Sequence, residues 1–357
     1  MSHYLKNILL FLFFLFVFPC IYSQEKVYPR NGEGITLLLK RYDRQGRGQY
    51  RRFVELNKRR LGANNMLLKG VAYTLPPKIS DVSSTTPATT VTPNKQIEQT
   101  VSKSTGKTKH EPLFGTKLAE YTVQSDELNG ATFYLVSGHG GPDPGAIGKV
   151  GNHSLHEDEY AYDIILRLAR NLLMKGAKVH LIIQDAKDGI RDGEYLSNSK
   201  RETCMGTPIP LNQLKRLQQR SNKINSLYAK NPTGYHRAVF VHLDSRSKSK
   251  KMDVFFYYAE GSRRGERLAI RMRSLFQSKY ARHQPGRGFS GTINSRGLYV
   301  LNNTKPVALF VELGNIQNAS DQRRFIQSSN RQALANWMCE GFVKDYKAQQ
   351  TKSSPHK

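Results

Sequence analysis

His139 lies in the stretch SGHGGPDPG (residues 137–145), directly after the apolar run FYLV at 133–136. His242, with Asp244 and Ser245 just beyond it, closes the apolar run AVFVHL, and Glu312 sits near the end of VALFVEL. Between the first run and the next helical pattern come His153, His156, Glu157, Asp158 and Glu159. Two imidazoles and several carboxylates at the ends of buried strands have the composition of a zinc site. A catalytic zinc takes three protein ligands and keeps a fourth position open. A further carboxylate beside it can accept a proton from water. Each residue alone also has a structural reading. A histidine at a strand end can serve packing, a glutamate in an apolar strand can be a hydrogen-bonded core group, and acids at a helix start favour its dipole. It is their joint placement at strand ends, where α/β sheets gather ligands, that favours chemistry.

Those residues need a scaffold, and the hydrophobic periodicity supplies one. The run 133–136 reads as a buried strand ending in a loop whose Gly and Pro content excludes a helix. Residues 160–175 carry apolar side chains at helical spacing, with Gly176 as C-cap. Strands are expected at 178–183, 238–243, 254–258, 298–301 and 307–313. Helices are expected at 211–229, 264–280 and 321–344, and 185–210 is polar and irregular. Strands alternating with helices predict an α/β fold. Its sheet is mixed and largely parallel, of about six strands flanked by helices.

The chain has 357 residues, 38% of them hydrophobic, enough for one sizeable core and a smaller module. Lys and Arg number 55 against 28 acidic residues, a formal net charge of +27 that attracts polyanions. The N-terminus indicates which kind. Lys6 precedes an apolar run at 8–19 and then Cys20, Ile21, Tyr22 and Ser23. This is the pattern of a signal peptide over 1–23, too short for a membrane span, with cleavage after Ser23. Lipidation at Cys20 is the competing reading. Export to the periplasm or cell envelope argues against nucleic acid and for an anionic envelope. Cys204 and Cys339 remain after cleavage, either paired or free and buried.

Residues 24–77 read as helix, helix, turn and strand, with room for a short strand first. Gly32-Glu33-Gly34-Ile35-Thr36, the central Glu55-Leu56-Asn57, and Leu68-Lys69-Gly70 before Tyr73-Thr74-Leu75-Pro76 resemble the LysM module. That resemblance implies a small α+β module binding N-acetylglucosamine-containing glycans. Its Arg51, Arg52, Lys58, Arg59 and Arg60 read as a solvated basic face. Residues 78–130 are a linker and lead-in, opening on Ser-, Thr-, Pro- and Lys-rich sequence such as SSTTPATTVTPNK that buries no core. Such a tether raises the local concentration of a second domain near an insoluble substrate. That domain is expected at 131–347, with a disordered tail at 348–357.

The motifs GHGGPDPGAIG, LHEDEYAYDIILRLARNLLMKGAKVHL, FVHLD and LYVLNNTKPVALFVELGNIQNASD resemble the zinc-dependent N-acetylmuramoyl-L-alanine amidases of bacterial cell-wall hydrolysis. The resemblance spans about residues 132–344. It implies cleavage of the amide between N-acetylmuramic acid and the L-alanine that begins the peptidoglycan stem peptide. It implies His139, Glu157 and His242 as zinc ligands and Glu312 as general base. Glu157 is favoured because it stands six residues before Asp163, the family spacing, with Glu159 as the fallback. His153 and His156 fall outside the ligand set, and Asp143 shapes the loop. The sequence departs from the family in having Leu-Asp after His242 where Ala-Asn is usual, Gln184-Asp185 where Thr-Arg is usual, and a long 185–210 segment. Peptidoglycan is the expected partner, with an activator protein as a further one.

Overall fold

A computed structural model describes residues 25–30, 33–44, 49–62, 67–68, 70–77, 106 and 108–353. The stretch read as a signal peptide and most of the linker lie outside the described residues. Among the described residues no helix is long and apolar enough to cross a membrane. The chain divides into two compact units, Met1–Ile97 and Glu98–Lys357.

In the first unit, strand β1 (Lys26–Val27) is followed by helices α1 (Ile35–Arg41) and α2 (Gln49–Asn57) and by strand β2 (Tyr73–Thr74). The two strands pair antiparallel, Val27 opposite Tyr73. Val27, Ile35, Leu38, Leu39, Phe53, Tyr73 and Leu75 form its core. Asn57 is buried and pinned to β2. Its amide donates to the Thr74 carbonyl at 2.8 Å and its side-chain oxygen accepts from the Thr74 amide at 2.8 Å.

The second unit opens with a hairpin of β3 (Thr108–His110) and β4 (Glu120–Thr122), then β5 (Ala131–Ser137). A second hairpin, β6 (Ile147–Val150) and β7 (His153–His156), leads into α3 (Glu157–Met174). Next come β8 (Lys178–Leu181), β9 (Ile183–Gln184), β10 (Thr203–Cys204), β11 (Thr207–Pro208) and α4 (Gln213–Ala229). Strand β12 (Tyr235–Asp244), β13 (Phe255–Tyr258), α5 (Arg263–His283), β14 (Thr292–Ser295), α6 (Tyr299–Asn302) and β15 (Val307–Asn315) follow, and α7 (Ala319–Ile326) and α8 (Ser328–Ser353) close the chain. The six-stranded sheet runs β14-β13-β15-β12-β5-β8, all pairs parallel except β13 with β15.

Alternation along the strands divides the core in two. Phe133, Leu135, Val239, Val241, Leu309 and Val311 face one cluster, covered by α3, α5 and α8. Tyr134, Val136, Ala238, Phe240, Ala308 and Phe310 face the other, covered by α4 and α6. Cys339 belongs to the first cluster and Cys204 to the second, so the two thiols are separated by the sheet, and both are free and buried.

The mixed, largely parallel sheet matches the expectation, but several elements differ. Residues 298–301 form a short helix, α6, and the sixth strand is β14 instead. A short apolar run does not by itself separate strand from buried helix, and here Leu301 and Asn302 both donate back to the Leu298 carbonyl at 3.0 Å. Strand 178–183 breaks at Ile182, and β9 leaves the main sheet to pair with β10. The helix expected from Tyr160 starts at Glu157. The helix expected over 321–344 is two, α7 and α8. The strand Thr108–His110 falls within the segment read as linker and lead-in, and Phe114, Tyr121, Val123 and Leu128 beyond it pack into the first cluster. Helix α8 runs to Ser353, past residue 347 where the sequence reading begins a tail.

Candidate active site

The site lies where β5, β12 and β15 end. The backbone of β5 pairs with β12 as far as Gly138, whose amide donates to the Val241 carbonyl at 2.7 Å. His139 then turns with φ of 56°, a left-handed conformation uncommon for a residue with a side chain. The Arg220 guanidinium, buried on α4, donates to the His139 carbonyl and holds that turn. On β12, His242 shares a parity with Ala238 and Phe240, so it projects on the α4 side of the sheet. There it stacks on Phe310 at 4.4 Å. Glu157 is the first residue of α3. The extended backbone of His156 before it aims its side chain back under the glycine loop.

These three side chains converge. One Glu157 oxygen lies 2.8 Å from His242 Nδ1 and 3.2 Å from His139 Nε2, and accepts the Leu243 amide at 3.1 Å. The other accepts the Ala146 amide at 2.9 Å. One donor atom from each residue lies within 4.8 Å of the others, a group able to hold a metal ion. The glycines make this packing possible. A Cβ on Gly138 would stand 2.4 Å from His242 Nδ1, and one on Gly145 would stand 2.8 Å from Glu157 Oε2. Two imidazoles and one carboxylate around a cradle that admits no extra methyl match the donor set of catalytic zinc.

The electrostatics fit a group built for a cation. Burial would raise the Glu157 carboxyl, but the hydrogen bonds to His139 and His242 outweigh it and hold it well below the usual carboxylate range. Burial opposes charge on His139, yet Asp143 and Glu157 push its pKa up to about 10. A metal would therefore displace a proton there. Burial lowers the His242 pKa, against the opposing hydrogen bond and charge of Glu157.

Glu312 faces His242 directly across the β12–β15 ladder. Burial raises its pKa well above the ordinary value, and the nearby charges of Glu157 and Asp244 add to the effect. Its Oε2 is buried and has no hydrogen-bond partner among the described residues. A carboxyl so placed is ready to exchange a proton with a bound water or substrate.

The structure therefore brings His139, Glu157, His242 and Glu312 together. Glu159, the fallback, points away and pairs with Arg191 at 2.8 Å. His153 stacks on Tyr195 at 3.8 Å, outside the group. Asp143 does more than shape the loop. Its Oδ2 meets His139 Nδ1 at 2.8 Å and the Arg216 guanidinium at 2.5 Å, which fixes the His139 ring with Nε2 toward Glu157. Hydrogen bonding to His139, with the charge of Arg216 beside it, brings the Asp143 pKa down to about 2. The sequence reading missed Arg216 and Arg220. Their signal is their spacing, a basic pair one helical turn apart, which in a basic chain is indistinguishable from a solvated face.

A family model described as N-acetylmuramoyl-L-alanine amidase matches residues 134–344, more than half of the chain. No curated protein matches it. Among solved structures, the N-acetylmuramoyl-L-alanine amidase AmiC2 of Nostoc punctiforme is 19% identical, over 61% of this chain and 97% of that one, with a TM-score of 0.43. The catalytic domain of CwlV, an N-acetylmuramoyl-L-alanine amidase from Bacillus (Paenibacillus) polymyxa var. colistinus, is 18% identical over 60% and 97%, with a TM-score of 0.44. The N-acetylmuramyl-L-alanine amidase Ami1 from Mycobacterium smegmatis is 18% identical over 62% and 99%, with a TM-score of 0.45.

Proposed function

The chain belongs to the N-acetylmuramoyl-L-alanine amidase family, and on that premise we propose that it cuts the amide between N-acetylmuramic acid and L-alanine of peptidoglycan with the help of zinc. The observation that carries the metal reading is the convergence of His139, Glu157 and His242 within 4.8 Å, beside a partnerless Glu312 carboxylate oxygen. His139 Nε2, His242 Nδ1 and Glu157 would hold the ion. A bound zinc ion supplies Lewis acidity, polarising the scissile carbonyl and making water more acidic.

The remaining steps belong to the chain. Asp143, held by Arg216, keeps the His139 ring turned toward the ion. Glu312 takes the proton of the attacking water and holds it until the amide opens. It then delivers the proton to the departing L-alanine nitrogen. The glycine loop gives a bulky glycopeptide close access to the site, since side chains at Gly138 and Gly145 would fill it.

The first unit serves in this reading as a LysM-like glycan-binding module over 24–77, joined through 78–130 to the catalytic domain at 131–347. Its strand-helix-helix-strand order supports the assignment. The basic apolar N-terminus supports export to the periplasm or envelope, where the net charge of +27 suits an anionic wall. An activator protein remains a further proposed partner.

The experiment is digestion of purified peptidoglycan by the full chain, with mass spectrometry of the soluble products. Free stem peptides beginning at L-alanine are expected. Shortened stems still attached to glycan would instead assign a zinc peptidase. Wall binding without any release would assign a binding protein.

A further inference from the structure

A second group of acids begins directly after Glu157 in the first turn of α3. Asp158, Glu159 and Glu202 are 3%, 1% and 5% exposed, and one oxygen from each falls within 4.8 Å of the others. Asp158 and Glu159 come from the first turn of α3, whereas Glu202 comes from the end of the long segment before β10.

Their existing partners do not balance this charge. Glu159 bonds the Ser199 amide and pairs with Arg191 at 2.8 Å, but Arg191 also serves Asp188 at 3.0 Å. Glu202 accepts only the Gly141 amide, at 2.9 Å, among the described hydrogen bonds. Asp158 Oδ1 accepts the Glu159 amide at 2.9 Å, and its buried Oδ2 has no hydrogen-bond partner among the described residues. Among the described residues neither Asp158 nor Glu202 has an ion-pair partner. The helix dipole favours acids at an N-terminus only weakly. A buried, unpaired carboxylate is far more costly than that. The dipole therefore does not account for three acids buried together.

We propose that Asp158, Glu159 and Glu202 form a second cation site that takes a hard divalent ion of the calcium class. The donors are all oxygen, the chemistry calcium prefers and zinc does not require. Oxygens around one calcium lie at about 2.3–2.6 Å from it, so any two are separated by no more than about 5 Å. The observed spread fits that limit. The ion joins three parts of the fold: the start of α3, the 185–202 segment and, through Glu202 and Gly141, the loop that carries His139. Because Glu202 and, through Glu159, Ser199 tie the 185–202 segment to the cluster, ion binding and the placement of that segment are coupled. The site uses none of the zinc ligands and does not depend on the amidase reading.

The test is calorimetric titration of calcium into the zinc-loaded full chain, with melting temperature and limited proteolysis as second readouts. One calcium per chain, a higher melting temperature and slower cleavage within 185–202 are expected. E202Q weakens calcium binding at least tenfold, D158N abolishes it, and H139A retains it. Absence of saturable calcium binding to the folded wild-type chain overturns the proposal, since the acids would then be neutralised by protons alone. Unchanged calcium binding in a folded E202Q or D158N chain, or its loss in H139A, overturns it as well.

Discussion

His242 and Glu312 stand opposite each other on two parallel strands at the centre of the sheet, one a member of the group able to hold a metal and one with a buried oxygen that has no hydrogen-bond partner among the described residues. Both share the parity of Phe240 and Phe310 and emerge on the α4 face. This pairing places the proposed proton acceptor next to the candidate metal group without making it part of that group.

Replacement of Glu312 by Gln separates those roles. Turnover on purified peptidoglycan falls by ~10²–10⁴-fold. Zinc content per chain stays at the wild-type value, because Glu312 is not a ligand in this scheme. The melting temperature does not fall, since the amide removes a carboxylate whose charged form burial already disfavours. Loss of zinc from E312Q would place Glu312 among the ligands.

The glycine cradle predicts a steric effect on metal binding. Gly145 has φ of +69°, and a Cβ there would lie 2.7 Å from His139 Cδ2 and 2.8 Å from Glu157 Oε2. Gly145→Ala weakens zinc affinity by ~10-fold or more, measured against a chromogenic chelator. Gly206 is the control. It has φ of +84° but nothing within 4 Å of its added Cβ, so Gly206→Ala meets the backbone strain alone and leaves zinc affinity unchanged.

In this scheme Arg216 acts on the proposed metal site through Asp143, whose carboxylate it meets at 2.5 Å. Asp143→Asn and Arg216→Gln each lower zinc affinity, by ~10–100-fold for the residue in direct contact with the ligand. The double variant is no worse than Asp143→Asn, because the two changes break one chain of contacts. Additive losses would show that Arg216 works by another route.

Away from the site, Glu127 ties two helices together, bonding Lys175 at 2.5 Å and Lys347 at 2.8 Å. Those hydrogen bonds lower its pKa from 4.5 to about 2. A lowered carboxyl contributes stability above its unfolded pKa and loses it as pH falls through the folded one. The three groups are partly exposed to solvent, so their joint worth is below ~1 kcal/mol, or roughly 2 °C in melting temperature. Glu127→Gln therefore melts lower than wild type at pH 7, and the gap closes as pH falls from about 4.5 toward about 2.

Much of this was legible before the fold. The alternating strands, the apolar helix stripes and the glycine-dense loop after 133–136 are local patterns with periods of 2 and 3.6 residues, so strand β5, helix α3 and the loop carrying His139 could be read directly. Residues 298–301 could not. Four apolar-rich positions satisfy either period, and only the packing of Val300 and Leu301 against the α4 side of the sheet makes them a helix.

By itself, the sequence determined which residue types stand at the strand ends, and through its motifs which of them a zinc amidase would use. Convergence was decided only in three dimensions. Strand order brings β5, β12 and β15 side by side across more than a hundred residues of chain, and register sets His242 against Glu312. The start of α3 at Glu157 aims that carboxylate at both imidazoles, while the next two acids turn away into a cluster of their own. Arg216 and Arg220 became part of the site only because α4 packs over the glycine loop. These outcomes depend on long-range pairing and helix docking, and the side-chain pattern of any single segment is the same with or without them.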